Sequence, residues 1–250
     1  MQKRWFLCAK AQPAADLRLF CLPHAGGSAV LYRNWAELIS PSVEVVSIQL
    51  SGRGTRLQEP PFTSMEPLVA AIAEEIADLL DKPFAIFGHS MGATIGFELA
   101  HSLRNTQGKE PSHLFVAGRK APQAFDRDPP TYDLPEPEFV EKLRRLEGTP
   151  PEVVENEELL QLVLPLLRAD FELIQTYEYV LRTRLTCPVT ALGGAADEGV
   201  DPESLRQWQK ESSGTFSIHM FSGNHFFVRD AERAIVQTVK KHLRQSIAFR

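Results

Sequence analysis

Gly88-His89-Ser90-Met91-Gly92 sets one serine between two glycines, directly after the apolar run Phe84–Phe87. A serine hydroxyl attacks an acyl carbon only when a base takes its proton and a carboxylate orients that base. With 15 glycines in 250 residues and serine equally frequent, about 0.05 chance occurrences of G-x-S-x-G are expected. The two glycines permit a crowded strand-to-helix turn. Ala93 and Gly96 keep the following helix small enough to lie close on a sheet, the physical form of a nucleophile elbow.

The expected base is His225 in "FSGNHFFV", just past the last apolar run, Phe216–Phe221. Of the other histidines, His219 lies inside that run and His89 supports the turn, while His101, His113 and His242 fall at helix or strand-start positions. No HxxxH or HxH spacing occurs, so no metal site is expected. The acid is expected at Asp197, the carboxylate nearest the end of "VTALGG". Asp201, directly before Pro202, reads instead as the N-cap of a helix. A tetrahedral intermediate also needs N–H donors for its oxyanion. Met91, next to the serine, offers one, and Ala25 or Gly26 in the loop "LPHAGGSA" offers the second.

Short apolar segments alternating with helical patterns must position these groups. Strands are expected near Trp5–Ala9 and at Leu17–Leu22, Val43–Ile48, Phe84–Phe87, Leu114–Ala117, Val189–Leu192 and Phe216–Phe221. Helices are expected over "MEPLVAAIAEEIADLLDK", from Met91, and over "AERAIVQTVKKHLRQ". This alternation predicts an α/β fold whose mostly parallel central sheet is covered by helices on both faces. Between Pro122 and Leu185 no strand pattern appears. A proline- and acid-rich stretch leads there into helices bearing Leu160, Leu167, Phe171 and Ile174, read as an insertion that packs its own small core and serves as a lid with an apolar inner face.

A 43% hydrophobic, 24% charged chain of this length can bury one large core. A net charge of -5 with no basic run argues against nucleic-acid binding, and no apolar run approaches the roughly 20 residues that cross a bilayer. Cys8, Cys21 and Cys187 have no paired spacing and read as buried reduced thiols, so a cytoplasmic protein is expected.

"CLPHAGGSA", "GHSMGA", "LTCPVTALGG" and "FSGNHFFV", in this order, resemble the type II thioesterases of polyketide and nonribosomal peptide assembly lines, over about Leu19 to His242. The resemblance implies a single α/β-hydrolase domain over 1–250 with a helical lid insertion at about 122–185. It also implies Ser90, Asp197 and His225 as the triad, with Ala25 and Met91 as oxyanion-hole N–H groups. The implied activity is that of an editing thioesterase, which hydrolyses aberrant or stalled acyl or aminoacyl groups. The phosphopantetheine arm that carries them is part of the substrate, so no cofactor is expected. The implied partners are acyl or peptidyl carrier protein domains, and a monomer is expected. Carrier proteins are commonly acidic, so a basic patch is expected at Arg119, Lys120, Arg144 and Arg145.

Two positions depart from the family pattern: Ser51 stands where proline is usual, and Asn224 where an acid is usual. The second puts the support of the His225 loop in question. The neighbouring readings are a medium-chain fatty acyl carrier protein thioesterase and a small-ester esterase, which pocket depth would separate. A non-catalytic binding protein of the same fold would be expected to lack a triad member, and all three candidates are present here.

Overall fold

The computed structural model describes residues 4–39, 41–124, 129–146, 148–149 and 151–248. Its strands are β1 (Phe6–Leu7), β2 (Leu17–Leu22), β3 (Val43–Ile48), β4 (Phe84–His89), β5 (Leu114–Ala117), β6 (Val189–Gly194) and β7 (Phe216–Phe221). The helices begin with α1 (Trp35–Ile39), α2 (Met65–Ile76) and α3 (Met91–Gln107). Then come α4 (Glu136–Leu146), α5 (Pro151–Val154) and α6 (Glu157–Gln175), followed by α7 (Pro202–Arg206), α8 (Phe227–Asp230) and α9 (Glu232–Ala248).

The strands form one sheet in the order β1-β3-β2-β4-β5-β6-β7, parallel throughout except for β1, which pairs antiparallel with β3. Every residue of β2 to β6 is buried, as a parallel sheet covered on both faces requires. Alternation of side chains divides each strand between two cores. Leu17, Leu19 and Cys21 of β2 pack with α1, α8 and α9, whereas Phe20 and Leu22 pack with α2, α3 and α7. The register of β2 on β3 sets Arg18 opposite Glu44, and the Arg18 Nε–H donates to Glu44 Oε2 at 2.8 Å. Slipping by one residue would bury both charges unpaired.

Helices α4 to α6 lie between β5 and β6 in the chain and share a separate apolar cluster that includes Phe139, Leu143, Val154, Leu160 and Leu164. Asn156 caps α6 by accepting the Leu159 N–H at 3.0 Å, and Pro165 interrupts the hydrogen bonding within that helix. Past α6 the chain is pinned to α3: Tyr177 donates to Glu98 at 2.6 Å, and Arg104 donates to the carbonyls of Thr183 and Arg184 at 2.9 and 2.8 Å. The expected lid stretch also includes residues 125–128, 147 and 150, which lie outside the described residues.

Several expectations need adjustment. The first strand is two residues long and ends before Cys8, which is exposed because nothing continues the pairing there; Cys21 and Cys187 are buried. The helix from Met65 stops at Ile76, and Ala77–Leu79 form a tighter 3-10 turn. Asp201 does cap α7, accepting the Ser204 N–H at 2.7 Å.

His101 and His113, at 1% and 2% exposure, are held neutral: burial pushes both down to about 3 from 6.5. In the unfolded chain each takes up a proton below about 6.5, so unfolding binds protons and stability falls as pH drops from about 6.5 towards 3. Urea midpoints measured between neutrality and mild acid should decline accordingly, and His113→Gln should give a shallower slope by about one proton.

Candidate active site

Ser90 stands at φ 54, ψ -115, and among the described residues no other non-glycine has a positive φ. Its own N–H donates to the Ala117 carbonyl at 2.8 Å, which ties the tip of β4 to β5. The flanking glycines have no room for a side chain. A Cβ on Gly88 would lie 2.1 Å from the Gly92 carbonyl oxygen, and one on Gly92 would lie 2.3 Å from that of Leu22. The turn therefore brings the start of α3 hard against the ends of β4 and β2, and the serine hydroxyl is lifted clear of the sheet.

The acid and the base come from the loops after β6 and β7. Ser90 Oγ–H donates to His225 Nε2 at 2.9 Å, and His225 Nδ1–H donates to Asp197 Oδ2 at 2.8 Å. The second carboxylate oxygen of Asp197 accepts the Gly199 N–H at 3.0 Å. The Asp197 side chain is 3% exposed and that of His225 32%, so the acid is shielded and the base is open to a substrate. The two loops meet closely: a Cβ on Gly194 would lie 2.3 Å from the Asn224 carbonyl oxygen, and Ala196 donates to the Gly223 carbonyl at 2.9 Å.

His89 is buried beneath the base, and its Nε2–H donates to the His225 carbonyl at 2.9 Å. Burial, followed by the nearby His24 and His225, holds it well below the ordinary imidazole range, so it braces the loop as a neutral group. The two departures from the family pattern acquire structural meaning. Asn224 Oδ1 accepts the Phe226 N–H at 2.9 Å and so holds the turn around His225. Ser51 is 2% exposed, with its hydroxyl lacking a protein partner.

Of the two candidates for the second oxyanion donor, Gly26 is committed elsewhere: its N–H donates to Asp170 Oδ2 at 2.7 Å. Ala25 remains, and with Met91 and Ser90 it lines a cavity of about 820 Å³. Met91 begins α3, where backbone N–H groups and the helix dipole favour negative charge. Leu143 and Phe171 of the inserted helices line the same cavity from the other side. Of the four expected basic residues, Arg119, Lys120 and Arg145 line the cavity and Arg144 does not. Arg144 and Arg145 both lie near Glu141, at 3.7 and 3.3 Å.

Two residues against this site escaped the sequence reading: Arg53 and Asp170, a buried ion pair at 2.6 Å. A signal for Asp170 was present, because it is the one acid in the apolar stripe Val163, Leu166, Leu167, Ile174 of α6. Arg53 gave none beyond its place in a glycine-flanked loop.

Compared with known proteins, residues 17–243 match the thioesterase domain family. The chain is 42% identical over 245 residues, 98% of its length and 96% of the relative's, to the gramicidin S biosynthesis protein GrsT of Aneurinibacillus migulanus. It is 37% identical over 240 residues to the thioesterase PikA5 of Streptomyces venezuelae, covering 96% of this chain and 85% of that one. Among solved structures, the type II thioesterase BorB from the borrelidin biosynthetic cluster superposes with a TM-score of 0.88 at 35% identity, covering 97% of this chain and 99% of its own.

The close approach at Gly194 yields a test. Gly194→Ala should force the acid and base loops apart and lower kcat/KM about a hundredfold, with the far-ultraviolet circular dichroism unchanged. Stopped-assay kinetics beside the spectrum check both halves of that expectation.

Proposed function

The chain belongs to the thioesterase domain family, and from that premise we propose that it is an editing thioesterase, clearing aberrant or stalled acyl and aminoacyl groups from the phosphopantetheine arms of acyl or peptidyl carrier proteins. The observation that carries this reading is the unbroken hydrogen-bonded line from Ser90 through His225 to Asp197, beside a cavity large enough for an acyl group and part of its arm.

In this mechanism Ser90 Oγ attacks the thioester carbonyl carbon while His225 Nε2 takes its proton. Asp197 keeps Nδ1–H pointed at itself and stabilises the imidazolium. The carbonyl oxygen, now negative, is held by the N–H groups of Ala25 and Met91. Collapse breaks the carbon–sulfur bond, and the departing pantetheine sulfur takes the proton from His225. A water molecule then attacks the acyl-enzyme with Nε2 again as base, releasing a free acid and restoring the serine. The scheme uses only these groups and water, and the arm enters as part of the substrate.

Helices α4 to α6 act in this reading as the lid. Arg119, Lys120 and Arg145 at the cavity support docking of an acidic carrier protein. In this reading the enzyme works as a monomer in the cytoplasm, and its three free cysteines fit a reducing compartment. Among the described residues no helix is long and apolar enough to cross a membrane.

Acetyl-carrier protein, acetyl-pantetheine and p-nitrophenyl acetate, compared side by side, test the proposal. Release is expected to be fastest from the carrier and to fall about a thousandfold or more in Ser90→Ala; turnover of the oxygen ester alone would make the protein an esterase. Reversing charge at Arg144 and Arg145 should weaken release from the carrier more than from acetyl-pantetheine, and equal losses on both would remove the docking role.

A further inference from the structure

Asp170 sits on α6, in the inserted helices, yet its carboxylate is spent on the loop that precedes the oxyanion site. Oδ2 accepts the Gly26 N–H at 2.7 Å and the Arg53 Nη1–H at 2.7 Å, while Oδ1 accepts Arg53 Nη2–H at 2.6 Å. The side chains are 2% and 5% exposed, so this is a buried, two-pronged pair. Arg53 in turn donates to the Gly27 carbonyl at 3.2 Å and, through Nε, to that of Ser51 at 3.1 Å. Gln49 completes the frame, accepting the Ala29 N–H at 3.2 Å and donating to the Arg53 carbonyl at 3.2 Å.

The Ala25–Gly26 peptide group is consequently held on both edges. Its carbonyl accepts His24 Nδ1–H at 2.8 Å, and its N–H is taken by Asp170. Gly26 itself is left-handed at φ +73, and a Cβ there would lie 2.7 Å from Leu167 Cδ2, so α6 rests directly on this loop. Gly52, beside Arg53, is left-handed as well at φ +77, and a Cβ on it would come within 3.2 Å of Leu166 Cδ1. Fixing the Ala25–Gly26 peptide restrains ψ of Ala25, and the preceding peptide, which carries the Ala25 N–H, is held in turn by its own carbonyl, which accepts the Gly27 N–H at 2.9 Å.

We propose that Asp170 is a positioning residue of the reaction: its carboxylate, aimed by Arg53, locks the Ala25–Gly26 peptide so that the Ala25 N–H is preset for the developing oxyanion. The inference rests on the reading of Ser90 as nucleophile. It makes the oxyanion site a joint product of the sheet loop and the inserted helix, and it divides α6 functionally. Residues 166–170 are part of the catalytic framework, whereas the stretch before Pro165 is free of that duty. Preorganisation of this kind lowers the barrier because the donor needs no reorientation when charge appears.

The test uses Asp170→Asn and, because that change strands a buried guanidinium, the double variant Arg53→Met/Asp170→Leu, which replaces the pair by apolar groups of similar volume. Hydrolysis of acetyl-pantetheine is measured per folded molecule, with the folded fraction taken from circular dichroism at the assay temperature. Inhibition by an arylboronic acid, whose serine adduct places an oxygen where the oxyanion would form, is measured beside it. The expected result is a kcat lowered about ten- to a hundredfold, less than for outright loss of a donor, with KM changed by less than about twofold and boronate affinity falling in parallel with kcat. An unchanged kcat per folded molecule with a lower melting temperature would show the pair to be structural only and overturn the proposal. A raised KM at constant kcat would overturn it equally. Ser90→Ala run alongside separates the two readings: retained turnover there overturns the catalytic assignment itself, whereas its loss with unaffected clamp variants overturns only the role of Asp170.

Discussion

The backbone at Ser90 occupies a region that side-chain-bearing residues rarely adopt, and the rest of the site is arranged to hold it there. Such a conformation costs about 1–3 kcal/mol and persists only where the surroundings over-determine it. Here they do so through the hydrogen bond to Ala117, the absence of side chains at Gly88 and Gly92, and the tight seating of α3 on the ends of β4 and β2. The same strain that exposes Oγ also brings the first amide of α3 beside it, so the proposed nucleophile and one proposed oxyanion donor come from one turn. The loop that carries Ala25 begins one residue past Leu22, whose carbonyl, with that of Pro23, forbids a side chain at Gly92. The elbow and the Ala25 loop are thereby locked into a single geometric problem with one solution.

Charge is handled by two opposite policies. The histidines around the site, His24 and His89, are pushed down by burial and remain neutral, which leaves His225 as the imidazole that faces a carboxylate. Two pairs of full charges are buried on both sides: Arg53 with Asp170 at the site, and Arg18 with Glu44 between two strands remote from it. A guanidinium or carboxylate in such surroundings is tolerable only with its partner in place. These pairs therefore specify which loops and strands must meet, more than they add to net stability.

What was legible in the sequence follows from what is local. Strands buried on both faces appear as apolar runs, and the elbow appears because steric crowding restricts five consecutive positions to a recognisable pattern. Asp197 could be separated from Glu198 and Asp201 because distance from a strand tip is itself a local property; it is the carboxylate that meets His225 in the structure. The clamp was not legible in this way. Arg53 and Asp170 are 117 positions apart, and no local rule connects a loop arginine with a helix acid. The exposure of Cys8 was missed for a related reason: β1 pairs only Phe6 and Leu7, with Ile48 and Ser47, although β3 extends back to Val43, and its own apolar run does not mark that early end. Asn224 shows the reverse case, where a departure from a pattern looked like a loss but supplies the acceptor that the turn needs.

The distribution of the three reactive groups along the chain has a bearing on how the protein is made. The groups that crowd the elbow, from the Leu22 and Pro23 carbonyls to that of Ala117, belong to β2 and the residue after it, β4, β5 and the start of α3. The acid and the base follow only after the inserted helices, on the loops leaving β6 and β7. During synthesis from the N-terminus, a ribosome-bound chain that has grown through β5 already contains the serine and its turn but nothing to deprotonate it. Ser90 thus meets His225 only once β7 has joined the edge of the sheet. Ser90 and His225 lie 135 positions apart, so the pairing of β6 on β5 and of β7 on β6 is what brings them within 2.9 Å.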